Sequence, residues 1–436
     1  MRKEERLSPF FSGATGELGG RIKRLKEKYL QSWWEAAGTL PPFFKTYTQA
    51  EQKEIEAELS RFVDTMFNYM EQNHPAEAPR QMDYRAAISQ TRMYMKRLFE
   101  FSGIEVDDSF ADGIVVSTRI FLDKVKAFDP GMDPENIYQA LRNIWVMNTL
   151  QVYFGLEIGC TDSMFAYSML YPYTDNIMDD VTIALEKKLG VSRGLKHRLE
   201  GKPYSRPQGI EKQLDAMVGL VEEEFPREKF PVLYQGLLGI YNAQTRSLTQ
   251  QRGDVPPHVV DIAGISFEKG GTSVLVDGFL IKGELTGKEE DTCFGLGVFL
   301  QLADDIQDIA ADKKNSHMTM FSQAAGRWDL DVPANKLFNF IDMVLEPGRK
   351  DPVLKRMDDL FRKSFFLHIM EAVGKNKDLY SSRYVKEIQA HFPARFSFLR
   401  KMRRKLRKML RKQKQGAFNL DVVSAGLMAL TSRVYE

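Results

Sequence analysis

An all-α fold is the class the sequence predicts, and three observations predict it. Apolar residues recur at spacings of three and four along most of the chain, the period of one helix face, while strand-like alternation is scarce. Glycine and proline fall mostly between the long periodic segments. Two pairs of aspartates, Asp175 with Asp179 and Asp304 with Asp308, stand four apart, so each pair leaves one side of a helix.

In chain order, residues 20–37, 49–72 and 84–101 read as helices punctuated by Pro41-Pro42 and His74-Pro75. Trp33, Trp34, Phe62, Phe67 and Met70 are their core candidates. Residues 112–330 form one continuous helical block, divided by no Ser- or Gly-rich linker and showing no repeat of fixed period. Pro172 is expected to start or kink the helix that carries Asp175. Further helices follow over residues 333–345, 352–373, 381–390 and 396–415. Three regions result: an N-terminal helical extension over 1–110 that packs on the core, a core over 111–330 that holds every chemical motif, and C-terminal helices over 331–436.

A chain of 436 residues suffices for one large domain or two ordinary ones. Two cysteines, Cys160 and Cys293, supply neither a disulfide framework nor a zinc cluster, and a reducing compartment is the simplest expectation. The charged opening Met-Arg-Lys-Glu-Glu-Arg is followed by no apolar stretch that could act as a signal sequence. No run of about 18 apolar residues predicts a spanning helix, so a cytoplasmic protein is expected. The net charge of +2 is unevenly spread, because ten Lys and Arg and no acid lie between Arg400 and Lys414. The body is therefore mildly acidic and carries one strongly basic segment.

The chemistry concentrates in Phe299-Leu-Gln-Leu-Ala-Asp-Asp-Ile-Gln-Asp308. Read as a helix, this stretch aligns Gln301, Asp304, Asp308 and, one turn on, Asp312, with Phe299, Leu300, Leu302, Ile306 and Ile309 against a core. Carboxylates lined up beside apolar residues repel one another and are costly to desolvate, and a divalent cation removes that repulsion. Upstream, Tyr171-Pro-Tyr-Thr-Asp175-Asn-Ile-Met-Asp179-Asp180 repeats the arrangement. Either pair alone could be solvated surface; two in one chain make a site the better reading.

The two stretches resemble the aspartate-rich motifs of the class I isoprenoid synthases, the superfamily of prenyltransferases and terpene cyclases. Gly295 and Gly297, Leu300-Gln301 and Asp304-Asp305-x-x-Asp308 fill the second motif, with Leu for the usual Phe before Gln. Asp175-Asn176-x-x-Asp179 fills the first, with Asn at its second position and Asp180 added. The resemblance spans about residues 150–325. It implies a class I isoprenoid synthase (terpenoid synthase) helical bundle with additional N- and C-terminal helices. It also implies Mg2+, several ions bound together with the diphosphate of an allylic isoprenyl substrate. The metal ligands it implies are Asp175, Asp179, Asp304 and Asp308, with Asp180 and Asp305 in support. Magnesium suits such a site because it binds through a few carboxylates plus phosphate oxygens and water.

Glu268-Lys269-Gly270-Gly271-Thr272-Ser273 resembles the Lys-Thr element that precedes the second motif in prenyltransferases. This implies that Lys269 contacts diphosphate and that Thr272, on a helix loosened by Gly-Gly, helps stabilise the cation. Gln301 is a further expected diphosphate contact, and so is Arg246, whose guanidinium would fork onto phosphate oxygens if it faces the cavity; a surface helix is the alternative for its polar stretch. The basic stretch Lys196, His197, Arg198 and Lys202 could close over the diphosphate as a lid, and Lys313 and Lys314 could reach it. Aromatic faces for an allylic cation are available at Tyr153, Phe154, Phe165, Tyr167, Phe294 and Phe299. Gly19-Gly20-Arg21-Ile22-Lys23-Arg24 is similar to a basic prenyltransferase element but lies far upstream and is read as coincidence.

Two outcomes of ionisation compete. Chain elongation needs a second anionic site, and the family's arginine pair is missing after Asp180. A terpene synthase, which cyclises or deprotonates a single cation, therefore leads over a chain-elongating prenyltransferase. The Asp-rich second motif argues the other way. A non-catalytic helical lipid-binding scaffold is the rival from another class. Leu399, Met402, Leu406, Met409 and Leu410 make residues 396–415 amphipathic. A helix packed on the body with a solvated basic face is the preferred reading, and peripheral membrane contact is its alternative. No module for nucleic acid is recognisable, and a homodimer is compatible with all of these readings.

Overall fold

The computed structural model describes residues 16–72, 108–179, 183–204, 207–251, 255–345 and 351–413. Helices dominate these residues, and no strand beyond one isolated bridge, Ala325 with Trp328, is found among them. The helices are α1 (Gly16–Glu35), α2 (Gln49–Gln72), α3 (Asp108–Phe128), α4 (Pro134–Tyr153), α5 (Asp162–Asp179), α6 (Leu185–Leu199), α7 (Ile210–Glu224) and α8 (Pro231–Ser247). They continue with α9 (Ile262–Lys282), α10 (Gly287–Gln307), the short α11 (Ile309–Lys314) and α12 (Met320–Ala324), α13 (Asp331–Val344), α14 (Pro352–Lys375), α15 (Ser382–Ala390) and α16 (Phe396–Gln413). The helix expected over 84–101 lies outside the described residues. No described helix is long and apolar enough to cross a membrane.

The chain divides into two compact units. One comprises residues 1–39, 139–156 and 160–347, the other 40–138, 157–159 and 348–436. Helix α1 thus belongs with the residues that carry the acidic motifs, and residues 111–138 group with the second unit.

In the first unit α9 is the central element. It packs against α10, α8, α1 and α5. Its sequence is apolar nearly all round, the pattern of a helix enclosed on every side. Asp261 starts it by accepting the Gly264 N–H at 3.0 Å, and Gly283 at φ +82° ends it. Helix α10 starts on a capping box in which Thr286 and Glu289 exchange hydrogen bonds.

The two helices cross closely because glycines meet. A Cβ on Gly270 would stand 2.4 Å from the Gly297 carbonyl oxygen, and one on Gly271 would stand 2.5 Å from the Phe294 ring. Gly295 gives the same room to Tyr29 of α1. Gly270-Gly271 therefore does not loosen the helix as expected: α9 runs unbroken through both, and their bare backbone admits α10. Pro172 lies inside α5, ten residues after its start, so of the two expected roles, opening or kinking the helix, it does not open it. Trp33 is buried as expected, but Trp34 is 68% exposed; the side chains of Phe62, Phe67 and Met70 lie outside the described residues.

In the second unit, Gln52 of α2 donates to the Gln389 and Phe392 carbonyls at the end of α15, both at 2.9 Å. Buried Glu56 accepts the Arg395 backbone N–H and guanidinium. Helix α16 buries Phe396 and Met402, with Phe396 against Gly374 of α14. Arg403 pairs with Glu371 and Lys405 with Asp64, while Lys401 and Arg404 face solvent. The first half of the basic helix is thus packed on its own unit.

Candidate functional site

Helices α5 and α10 both run antiparallel to α9, and the register carries both acidic motifs to one end of it. On one side the Ser163 hydroxyl donates to the Leu280 carbonyl, and eight residues further along α5 the Tyr171 hydroxyl meets that of Ser273. The last turns of α5, which hold Asp175 and Asp179, therefore come level with the start of α9. On the other side Cys293 packs at Gly278, Gly297 at Gly270, and the Ser266 hydroxyl faces Asp305 at 3.4 Å. The last turn of α10 arrives at the same end. The side chains of Asp175 and Asp179, and all of Asp180, lie outside the described residues.

Asp304 and Asp308 sit one turn apart where α10 ends, with Asp308 as its C-terminal cap. That end of a helix carries the negative pole of the macrodipole, and α10 has no basic residue in its last turn. The compensating charge comes from elsewhere in the chain: the Arg142 guanidinium of α4 reaches the Asp304 carboxylate at 3.0 Å. Both side chains are about one third exposed, at 33% and 36%.

Asp305 departs from the expected supporting ligand role. It is 5% exposed, accepts the Gln301 amide at 2.8 Å, and faces Ser266 across the α9–α10 interface. Burial, reinforced by the Asp304 charge, pushes its pKa up to about 7 against the pull of Gln301 and Lys269. Its neighbour on the helix thus faces a counter-ion while Asp305 faces the core. Gln301 is correspondingly engaged with Asp305. Lys269 lies close enough to act on the Asp305 charge, on an α-helix and not on the loop that Gly-Gly could have made.

Other expected contacts are committed elsewhere. Arg246 is ion-paired with Glu268, which also takes Lys26 of α1 at 2.9 Å. Burial lowers the pKa of both cations, and their mutual repulsion adds to the effect on Lys26. Thr272 is fully buried, and its hydroxyl has no hydrogen-bond partner among the described residues. Asp312 does not continue the α10 face: the helix breaks at Asp308, and Asp312 meets His317 at 3.5 Å and the Thr319 hydroxyl at 3.3 Å. Lys313 donates to the Ala325 carbonyl. Arg198, expected in a lid, is 9% exposed and held by Asp215 and Glu222.

A largely apolar cleft lies among α5, α6 and α8. Its empty volume, counted with the open solvent at its mouth, is about 650 Å³. It ends at Thr174, next to Asp175, and at Gln244 and Thr245, next to Arg246. Of the six aromatic residues singled out by sequence, only Tyr167 lines it; Tyr171 and Tyr241 were missed. Phe165, Phe294 and Phe299 are core, and Tyr153 is buried away from the cleft.

Among the described residues no group of three or more His, Cys, Asp or Glu is arranged to hold a metal ion. The described share of the donor set is Asp304 and Asp308. All-oxygen carboxylate donors suit a hard cation such as magnesium. Their place at the negative helix end, already matched by one cation, fits a site that demands positive charge. No protein-family model matches the chain, and no curated protein matches it significantly.

Proposed function

We propose that this protein is a magnesium-dependent enzyme of the class I isoprenoid synthase type, which ionises an allylic isoprenyl diphosphate. The observation that carries this reading is the shared register. Residues 175–179 and the Asp304–Asp308 turn come to the same end of α9, beside Lys269 and next to an apolar cleft. Asp304 and Asp308, with Asp175 and Asp179, would hold the metal. Bound magnesium supplies Lewis-acid stabilisation of the negative charge that gathers on the leaving diphosphate.

The chain's own residues do the rest. Lys269 offers an ammonium to the diphosphate oxygens. The cleft takes the prenyl tail between Leu170, Leu195, Leu237 and Ile240 and keeps water away from the reacting carbon. When the C–O bond breaks, its electron pair leaves with the diphosphate oxygen. The allylic cation then faces the rings of Tyr167, Tyr171 and Tyr241, which stabilise it by cation–π attraction. Ring closure, or loss of a proton to the departing diphosphate, completes a terpene synthase reaction.

Chain elongation is the second reading, favoured by the Asp-Asp-x-x-Asp form of Asp304–Asp308. Incubation with geranyl, farnesyl and geranylgeranyl diphosphates and magnesium, with and without isopentenyl diphosphate, separates the two. A hydrocarbon or alcohol formed without co-substrate supports the synthase, and a longer diphosphate formed only with it supports elongation. A protein that binds neither magnesium nor a diphosphate analogue by calorimetry is a scaffold.

A further inference from the structure

A cleft that takes only a hydrocarbon tail has no use for buried hydroxyl groups, yet this one carries several on its walls. Three of them spend their O–H on backbone carbonyls. Thr174 donates to Leu170 at 2.7 Å, Thr245 to Tyr241 at 2.9 Å and Tyr167 to Ser273 at 3.4 Å. Ser192 of α6 and Tyr241 of α8 differ. Their hydroxyls meet at 2.7 Å, and among the described residues neither hydroxyl makes a further hydrogen bond. Two hydroxyls bring two O–H donors, and the bond between them uses one. The pair therefore keeps one donor and spare lone pairs, on residues that are 2% and 8% exposed. A buried donor without an acceptor is costly, so the pair calls for an oxygen on whatever the cleft takes in. Its place is midway along the cleft. Tyr241 lies one helical turn, about 5 Å, further in than Thr245, and Leu237 lies one turn deeper again.

We propose that the Ser192–Tyr241 pair holds one water molecule in the cleft, and that this water ends the reaction by trapping the cation as an alcohol. This rests on the isoprenoid synthase reading of the cleft. One water closes a ring of three hydrogen bonds with the two hydroxyls. It accepts the unspent O–H and donates to a lone pair of the other oxygen. A lone pair on the water oxygen remains for chemistry. The pair stands a turn inside the end beside the acidic motifs, so C1, the carbon that loses diphosphate, stays shielded. The water meets the positive charge only after ring closure has moved it to a carbon deeper in the chain. The lone pair then forms the new C–O bond, and the resulting oxonium gives its extra proton to the diphosphate. Prenyl diphosphate and water thus become alcohol and hydrogen diphosphate, with no change in oxidation state.

Incubation of the wild type with geranyl or farnesyl diphosphate and magnesium in oxygen-18 water tests this, with released pyrophosphate counted beside the products. The expected product is an alcohol that carries oxygen-18 on a carbon other than C1. In Ser192→Ala the labelled share of product, per pyrophosphate released, should fall about tenfold, the worth of one hydrogen bond. Hydrocarbon should take its place. Ser192→Thr, which keeps the hydroxyl, should keep the labelled alcohol. The share is a ratio within one sample, so a variant that merely folds poorly lowers both quantities and leaves it unmoved. Pyrophosphate release with only hydrocarbon from the wild type, or with label only at C1, overturns the proposal and leaves the proposed function standing. A Ser192→Ala share equal to that of the wild type does the same. A wild type that releases no pyrophosphate from either substrate overturns both.

Discussion

Replacing Asp277 by asparagine probes the most deeply buried acid among the described residues of α9. Asp277 is fully buried at the junction of α9 with α4 and α5, where its Oδ1 accepts the Asn143 amide at 3.0 Å. Asn143 also donates to the Ser168 hydroxyl at 3.1 Å, and Oδ2 of Asp277 has no hydrogen-bond partner among the described residues. Burial pushes its pKa from the ordinary 3.8 up to about 8, against the pull of the Asn143 hydrogen bond. The folded protein therefore keeps a proton that the unfolded chain releases. With more protons on the folded side, stability falls as pH rises through this window, at about 1.4 kcal/mol per pH unit. The contribution is complete below the unfolded pKa and gone above the folded one, which sets a ceiling of about 6 kcal/mol. The amide in the Asp277→Asn variant would be neutral throughout and would still accept from Asn143. It would also place an N–H where Oδ2 has no partner, a pH-independent cost of about 1–3 kcal/mol. Urea unfolding followed by tryptophan fluorescence should thus find Asp277→Asn gaining on wild type by about 2–4 kcal/mol between about pH 5 and about pH 8. A stability difference that stays flat over that range would mean that the carboxyl is not held neutral, and the account of this junction would fail.

Four further expectations follow from contacts described above. Gly270→Ala and Gly297→Ala put a methyl group 2.4 Å and 2.1 Å from a facing carbonyl oxygen, and each should cost upwards of about 3 kcal/mol in urea unfolding. Arg198→Met should cost about 1–3 kcal/mol of stability, because Asp215 loses Arg198 and Glu222 keeps only Arg227; an unchanged stability with reduced diphosphate affinity would restore the lid expectation. Calorimetry with magnesium and pyrophosphate should show Asp304→Asn binding at least about tenfold more weakly, with Asp305→Asn within about threefold of wild type. Lys401→Glu combined with Arg404→Glu should leave flotation with anionic vesicles unchanged, since Phe396 and Met402 in the first half of α16 are already buried; wild-type flotation lost in the double variant would reverse this.

The helices were legible because their signals are local. Spacing alone returns α2 with both of its ends, and the four-residue interval of the aspartates sets each pair on one helix. What stayed hidden depends on partners far away in sequence. Arg142 has no mark that separates it from any other helical arginine until α4 and α10 come together. Gly270-Gly271 reads by propensity as a weakened helix, yet tertiary packing overrides propensity when α10 needs the space that a Cβ would fill. Arg198 reads as solvated or mobile by composition, because the acids that bury it lie on the next helix. Asp312 reads as the next turn of α10 because periodicity does not show where a helix ends; no glycine or proline marks the break at Asp308. Tyr241 opens the polar stretch that carries Arg246, and only the approach of α6, where Ser192 meets its hydroxyl at 2.7 Å, makes it part of a cleft wall.

Asp304 and Asp305 show how finely this end of the bundle separates function from packing. The two residues are adjacent and chemically identical, and one step of about 100° around the helix divides them. On one side of that step a carboxylate stays partly in water and must be met by a cation, at present Arg142. On the other side a carboxyl enters the α9–α10 interface, is satisfied by Gln301 and Ser266, and shifts toward its neutral form. A run of acids at the negative end of a helix is tolerable only because its members have different fates. If all three stayed charged and exposed, repulsion and the helix dipole would act together against the last turn of α10. The charge that remains, on the side facing Arg142, is the part that packing has not neutralised, and the end of α9 to which both acidic helices are brought is where a doubly charged ion would have the most to offer.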